Sequence, residues 1–126
     1  MFDGRNLDDA ERMYQDWRAG LGARAAQDRE LSARLAALTA TARSDDDLIE
    51  VTIGASGDIV RLELAEGIRG RPAAETAREI LAAVRVARLA LAADIVDVTA
   101  RMTGSDSEAA RAVIESRTGR LREPDD

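Results

Sequence analysis

Strict alternation of apolar and polar residues in the middle of the chain constrains its fold most. Apolar residues occupy every second position in 49–53, and again at 60, 62 and 64 after a short turn. A period of two is typical of strands that have one buried face and one solvated face. The connections at 44–47 and 54–57 are too short for a helical crossover, so neighbouring strands should pair antiparallel. Residues 38–65 are therefore predicted to form a three-stranded meander, with Val60, Leu62 and Leu64 buried in its last strand.

A first long helix is predicted before the meander. Asn6 or Asp8 is a suitable cap for it, and Gly20 and Gly22 predict a bend in its middle. Trp17 is interpreted as a core or dimer anchor rather than as a base-stacking residue, because amphipathic helices normally bury their large side chains. The apolar residues of this helix recur at nearly helical spacing: Met13, Trp17, Leu21, Leu31 and Leu35.

A second long helix is predicted to begin near Pro72 and to end at Gly104. One apolar face is expected to pack on the sheet, and it comprises Ile80, Val84, Ala87, Leu91, Ile95, Val98 and Met102. Further apolar residues lie on nearly the opposite side, where a helix resting on one sheet ordinarily carries charge. This outer line predicts a homodimer, with Val86, Leu89 and Val96 in the interface.

The remaining residues are polar and end in acidic positions. The Ser-Asp-Ser-Glu sequence at 105–108 is typical of a helix start, so one short helix is predicted before Pro124, followed by a disordered end. The predicted fold class is α+β, with a long N-terminal helix, a three-stranded antiparallel meander, a long second helix and a short helical or disordered tail. We assign residues 1–104 to one domain and residues 105–126 to an acidic tail.

The residue types argue against an enzyme. Without cysteine or histidine, Ser44 and Ser56 lack the usual general base, and no thiolate nucleophile is available. The acidic run 45–47 has the character of a solvated turn and lacks the spaced ligands of a calcium loop. The turn at 54–57 lacks the lysine and the following helix of a phosphate-binding loop. No catalytic residue, metal, cofactor or small-molecule substrate is therefore expected.

A cytoplasmic location is expected. The first residues contain no apolar stretch of the kind found in a signal peptide. The most apolar segment, 80–98, is interrupted by four charged residues, which is typical of a water-exposed helix rather than a membrane span. No membrane partner is predicted.

Arginine supplies all of the positive charge, with 18 basic residues against 24 acidic ones and a net charge of −6. Because salt screens charges beyond about 8 Å, a local arginine ridge can hold phosphates on an acidic protein. The alternative is that these arginines pair with Asp28, Glu30, Glu75 and Glu79. The predicted DNA-binding residues lie on both long helices and are Arg18, Arg24, Arg29, Arg34, Arg78, Arg85 and Arg88.

The stretch LIEVTIGASGDIVRLEL, which leads into PAAETAREILAAVRVARLAL, resembles the YbaB/EbfC family of nucleoid-associated DNA-binding proteins. The resemblance covers roughly residues 7–104. It implies a homodimer in which sheets associate and the helices project to embrace duplex DNA, with a location in the nucleoid. Related proteins are associated with type VII secretion, which leaves a protein-binding role open.

The sequence therefore supports two functional hypotheses. The first is a non-enzymatic nucleoid-associated protein that binds double-stranded DNA as a homodimer with weak sequence selectivity. The second is an adaptor or chaperone-like module that binds another protein through its outer apolar line, with the link to type VII secretion that the resemblance implies.

Overall fold

The computed structural model describes residues 4–104 and 107–122. The elements follow one another as α1 (Gly4–Ala36), β1 (Thr39–Arg43), β2 (Ile49–Gly54), β3 (Ile59–Leu64), α2 (Ala73–Thr103) and α3 (Glu108–Thr118). Short 3₁₀ helices occupy Glu66–Gly70, before α2, and Gly119–Leu121, after α3. The predicted α+β order of helix, meander and helix is confirmed, and Ser107 caps a short third helix by accepting a hydrogen bond from the Ala110 amide.

The helix α1 begins earlier than expected and is continuous. It begins at Gly4, so Asn6 and Asp8 lie inside it rather than at its cap. It also remains one helix through Gly20 and Gly22, both of which face open space. Helical hydrogen bonding along the backbone continues at a glycine, where the cost is entropic rather than steric.

The three strands form an antiparallel sheet in the order β1-β2-β3. Ala42 is paired with Val51, and Val51 is paired in turn with Leu62. A bulge between Thr52 and Ile53 shifts the register of β2 against β3 near the turn that joins them. Paired residues project to the same face, so these three side chains share the face on which α2 packs.

The core lies between α2, β1 and β2, with Leu31 and Leu35 of α1 closing one end. The predicted α2 face is confirmed: Val84, Ala87, Leu91 and Ile95 are buried, while Ile80, Val98 and Met102 are partly buried against them. The alanines of β1 are small, which lets the helix approach the sheet closely. On the β2 side the fully buried residues are Ile49, Val51 and Ile53.

The expectation that β3 is buried is wrong for the protomer. Every residue of β3 is exposed, with Val60 at 61% and Leu62 at 43%. The reason is geometric. A helix about 10 Å wide covers about two strands that lie about 4.8 Å apart, and α2 packs on β1 and β2. Leu62 and Leu64 therefore lie on the inner face of the sheet with no helix above them.

Trp17 is not a core residue of the protomer, because 60% of its side chain is exposed. The other aromatic residue on the described part of α1, Tyr14, is exposed as well, and Phe2 lies outside the described residues. A dimer role for Trp17 stays a prediction.

The C-terminal segment packs on the rest of the chain. Ala110 is completely buried, and Leu121 belongs to the main core. Gly57, in the β2–β3 turn, has a φ of 90°. A Cβ on that glycine would lie 3.1 Å from the Arg120 carbonyl oxygen and 3.2 Å from the Leu121 side chain. Glycine is therefore required there both by the backbone conformation and by the close approach of the C-terminal segment. The division at residue 104 stays a prediction.

Candidate nucleic-acid interface

Three arginines of α2, at positions 78, 85 and 88, lie on one side of the helix, and the last of them contacts the β2–β3 turn. Arg88 donates from Nε and Nη2 to the Gly57 carbonyl oxygen, at 3.3 and 3.1 Å. Arg78 and Arg85 precede it on the same side, and the three span about 15 Å along the helix axis. We call Arg78, Arg85 and Arg88 the α2 ridge. Arg88, the last residue of the α2 ridge, also has a structural role because it binds the β2–β3 turn.

The C-terminal segment adds a fourth arginine to this surface. Arg122 lines a concavity of about 460 Å³ together with Arg85 and Arg88. Leu89, Ala92 and Leu121 supply apolar lining, and none of the described residues that line the concavity is a carboxylate. Arg122 itself is paired with Glu115, at 3.0 and 3.1 Å.

Sequence reasoning missed Arg122 because it assigned residues 105–126 to a polar tail. A signal was present in Val113, Ile114 and Leu121, whose spacing gives the C-terminal segment an apolar side. An apolar side of this kind is expected to pack on the rest of the domain, and that packing would place Arg122, next to Leu121, on the domain surface.

One carboxylate that the sequence offered as a partner for the α2 ridge is engaged elsewhere. Glu79 binds Arg71, which also binds Asp46 in the β1–β2 turn. Arg78 has no carboxylate within ion-pair distance among residues 4–104 and 107–122. An exposed guanidinium of this kind can contact a phosphate without first giving up an ion pair.

The acidic run at 45–47 is an ordered turn. Asp46 accepts hydrogen bonds from the Ser44 hydroxyl at 2.7 Å and from the Leu48 amide at 3.2 Å. Asp47 adopts a positive φ of 60°, which the short polar side chain of aspartate tolerates. No group of three or more potential metal ligands is brought together in the described part of the chain.

The arginines of α1 do not form a single line. Arg18 and Arg29 are 11 residues apart, which is about three turns and places them on one side of the helix. Arg24 and Arg34 point elsewhere. Arg18 lies 5.8 Å from the centre of the Tyr14 ring, and Arg34 is paired with Glu30 at 3.0 Å. The pairing alternative considered from the sequence therefore holds for Arg34.

The structure does not bring the two sets of arginines together within one protomer. The Gln27 side chain donates to the Met102 carbonyl oxygen at the end of α2, at 2.6 Å. Met102 is about 21 Å along α2 from Arg88. Arg18 and Arg24 precede Gln27 on the part of α1 that extends past this end of α2. Any single binding surface that includes both sets requires a second copy or a long, curved ligand.

The predicted dimer residues of α2 are all exposed, with Val86 at 58%, Leu89 at 72% and Val96 at 44%. They border different features, since Leu89 lines the concavity with Arg85 while Val86 lies beside Arg43 of β1. A second exposed apolar surface lies on β3, and sequence reasoning missed it because it placed Val60, Leu62 and Leu64 in the core. This β3 surface comprises Ile59, Val60, Leu62 and Leu64, which are 43–61% exposed.

Among the described residues, no helix combines the length and the apolar character needed to cross a bilayer. Comparison with curated proteins and with solved structures gave no match. The model of the YbaB/EbfC DNA-binding family matches residues 10–106, which include α1 from its second turn, the whole sheet and all of α2. Because this match covers most of the chain, the protein belongs to the YbaB/EbfC DNA-binding family.

Proposed function

We propose that this chain is a non-enzymatic nucleoid-associated protein that binds double-stranded DNA as a homodimer with weak sequence selectivity. The observation that carries the proposal is the α2 ridge. Three arginines follow one side of α2, and Arg122, which follows the last 3₁₀ helix and is paired with Glu115, lines the same concavity as Arg85 and Arg88. Family membership supports DNA as the ligand and the nucleoid as the location.

Weak selectivity follows from the chemistry of this surface. Arginines spaced along a helix that is fixed against a sheet are suited to phosphate contacts, which carry no sequence information. The sheet has no aromatic side chain on which a base could stack, which disfavours the single-strand recognition used by OB-fold and RNA-recognition modules. The expected binding mode is therefore contact with the backbone and grooves of a duplex.

The dimer is proposed to form through the β3 surface. β3 is an edge strand, so its outer hydrogen-bonding groups are available to a second strand. Leu62 and Leu64 leave apolar area uncovered on the inner face of the sheet. Pairing of two β3 strands would satisfy these hydrogen-bonding groups and cover this apolar area. It would also place two α2 ridges on one dimer. Val86, Leu89 and Val96 are the proposed helical contribution to the interface.

Retardation of duplex DNA in native gels tests the binding proposal. The protein should retard mixed-sequence DNA at low salt, and its observed affinity should fall as salt rises. Arg78→Ala should weaken binding to unrelated sequences alike. It should also reduce the salt slope by about one unit for each phosphate that is no longer neutralised, hence about two for a dimer. Arg69→Ala is the matched control, because Arg69 is an exposed arginine already paired with Glu66. Absence of retardation at low salt would refute the proposal.

The second candidate function, a protein-binding adaptor, is favoured by the exposed outer line of α2. A net charge of −6 and the high exposure of Leu89 suit a surface that docks on another protein as well as one that docks on itself. Sedimentation of the purified chain separates the two. A monomer at micromolar concentration would leave the apolar surfaces free for a partner and would favour the adaptor.

A further inference from the structure

The first half of α1 is an arm that carries large apolar side chains on an unsupported helix. Residues 7–24, which we call the arm, precede Gln27 and extend for about 27 Å. Trp17 and Tyr14 are more than half exposed, and their rings lie 6.1 Å apart on one side of the helix. The exposed apolar residues of the arm are Leu7, Met13, Tyr14, Trp17 and Leu21, at 44–73%.

The arm has the pattern of a helix that pairs with another helix. Its residues 7, 10, 14, 17 and 21 occupy alternating spacings of three and four, which is the seam of a coiled coil. The same register continues to Leu31 and Leu35, which are 4% and 1% exposed and belong to the main core. Arg24 and Asp28 interrupt this register with charged residues, and beyond them the face of α1 that is buried at its C-terminal end continues, uncovered, along the arm.

Two glycines make the arm costly to maintain alone. Gly20 and Gly22 lie in its helical interior, and each destabilises a helix by about 1 kcal/mol relative to alanine. Nothing within 4 Å would meet a Cβ at either position. Packing of the apolar seam against a second helix would offset this cost, and the missing side chain of Gly20 would allow close approach beside Trp17.

The charges of the arm are segregated along its length. Residues 8–16 contain four acids and one arginine, whereas residues 18–24 contain two arginines and no acid. Parallel pairing with an identical helix would place acid against acid and Arg24 against Arg24. Antiparallel pairing places the acidic half beside the basic half at both ends. A second copy of the arm, paired antiparallel, is therefore complementary in charge to the first.

We propose that the arm of one copy pairs antiparallel with the arm of a second copy. In the seam register, Tyr14 packs against the partner's Trp17, and Leu21 packs over the partner's Ala10. Glu11 and the partner's Arg18 then lie on the same flank of the arm pair, offset by about two residues along the helices, so that they can form an ion pair. The twofold axis repeats each of these contacts, so one arm pair contains two aromatic contacts and two ion pairs.

This self-association goes beyond the proposed function, because it uses a surface remote from β3 and from the α2 ridge. A protein with both surfaces would join dimers end to end, each β3 pair being linked to the next by arms. Arg18 would be engaged by Glu11 of another copy, which assigns to it a role in assembly rather than in direct contact with phosphate.

Trp17 is the only tryptophan in the chain, so its fluorescence reports directly on the arm. In the full-length protein, the emission maximum should shift to longer wavelength on dilution as the arms separate. Pairing through β3 leaves Trp17 unchanged. Emission that stays constant from micromolar to nanomolar concentration, at the wavelength of an exposed indole, would overturn the proposal.

A charge-exchange set provides the second measurement. Glu11→Arg and Arg18→Glu should each weaken arm association about tenfold, since each creates two like-charge contacts. The double variant Glu11→Arg with Arg18→Glu should restore association, because opposite charges again face each other. Failure of the double variant to exceed both single variants would overturn the antiparallel register. DNA retardation by Glu11→Arg at low salt tests the proposed function separately, because that substitution leaves the α2 ridge intact.

Discussion

Arg88 and the carbonyl oxygen of Gly57 join α2 to the β2–β3 turn through two hydrogen bonds, at 3.3 and 3.1 Å. Arg88 therefore contributes to the stability of the fold as well as to the positive surface. Arg88→Ala should lower the free energy of unfolding by about 1–2 kcal/mol, because the turn loses a charged donor, and it should also weaken DNA retention. Denaturation in urea and gel retardation measure the two effects.

Arg78→Ala is the comparison for this prediction. It removes a charge from the same ridge without removing a hydrogen bond to the turn, so only DNA retention should fall. Equal stability of the Arg88→Ala variant and the unsubstituted protein would show that the Gly57 hydrogen bonds contribute nothing.

Thr99 contains a buried hydroxyl that lacks a hydrogen-bond partner among the described residues. The residue is completely buried on α2. Thr99→Val replaces this hydroxyl by a methyl group of similar size, and it should raise the free energy of unfolding by about 1 kcal/mol. Urea denaturation at a fixed protein concentration measures the change, since self-association shifts apparent stability.

Thr103→Val provides the control, because the Thr103 hydroxyl donates to the Thr99 carbonyl oxygen at 2.7 Å. Removal of that satisfied hydroxyl should give no gain. A destabilised Thr99→Val variant would contradict the prediction.

Leu62 is predicted to be central to the proposed β3 dimer. Leu62→Glu would place a carboxylate on the inner face of the sheet, where the second copy is expected to pack, and burial of that charge is strongly unfavourable. Because the side chain is 43% exposed in the protomer, the fold should survive. Sedimentation should show loss of the β3 dimer, while circular dichroism should remain unchanged.

Arg61→Gln, on the opposite face of the same strand, is the control and should leave assembly intact. A Leu62→Glu variant that sediments like the unsubstituted protein would place the interface elsewhere, with Val86, Leu89 and Val96 of α2 as the next candidates.

Gly57 should not tolerate a side chain. Gly57→Ala places a Cβ against the Arg120 carbonyl oxygen and forces alanine into a positive φ, so a loss of about 1–3 kcal/mol is expected. Release of the C-terminal segment should make it more sensitive to protease. Gly119→Ala is a suitable control, because its φ of −57° suits alanine and nothing lies within 4 Å. Equal stability of the two variants would contradict the prediction.

The periodicity of the sequence predicted the elements well but could not predict what covers them. The alternation through Ile53 correctly indicated a strand with a buried face. The same alternation through Leu62 gave the same indication, and the protomer leaves that residue exposed. A period of two distinguishes the faces of a strand, whereas burial depends on how many strands one helix can cover.

The candidate site shows a similar limit. Helical spacing places Arg78, Arg85 and Arg88 on one side of α2, which is a continuous helix over these positions. Helical spacing could not show that Arg122 lies beside these arginines, because the position of Arg122 depends on how the segment after Gly104 packs. It also could not show that Arg18 lies past the end of α2, because the crossing of two helices is set by tertiary packing.

Arg71 binds Asp46 at the β1–β2 turn, and Arg88 binds the turn at the other end of the sheet. Arg71 also binds Glu79 of α2, so the helix is anchored at Glu79 and at Arg88, about 14 Å apart along its axis, and these anchors fix its rotation about that axis. The orientation of the positively charged side of α2 is therefore fixed before a polyanion binds. Docking then costs little further conformational entropy of this helix, and the spacing of charge offered to the duplex is a constant of the folded chain.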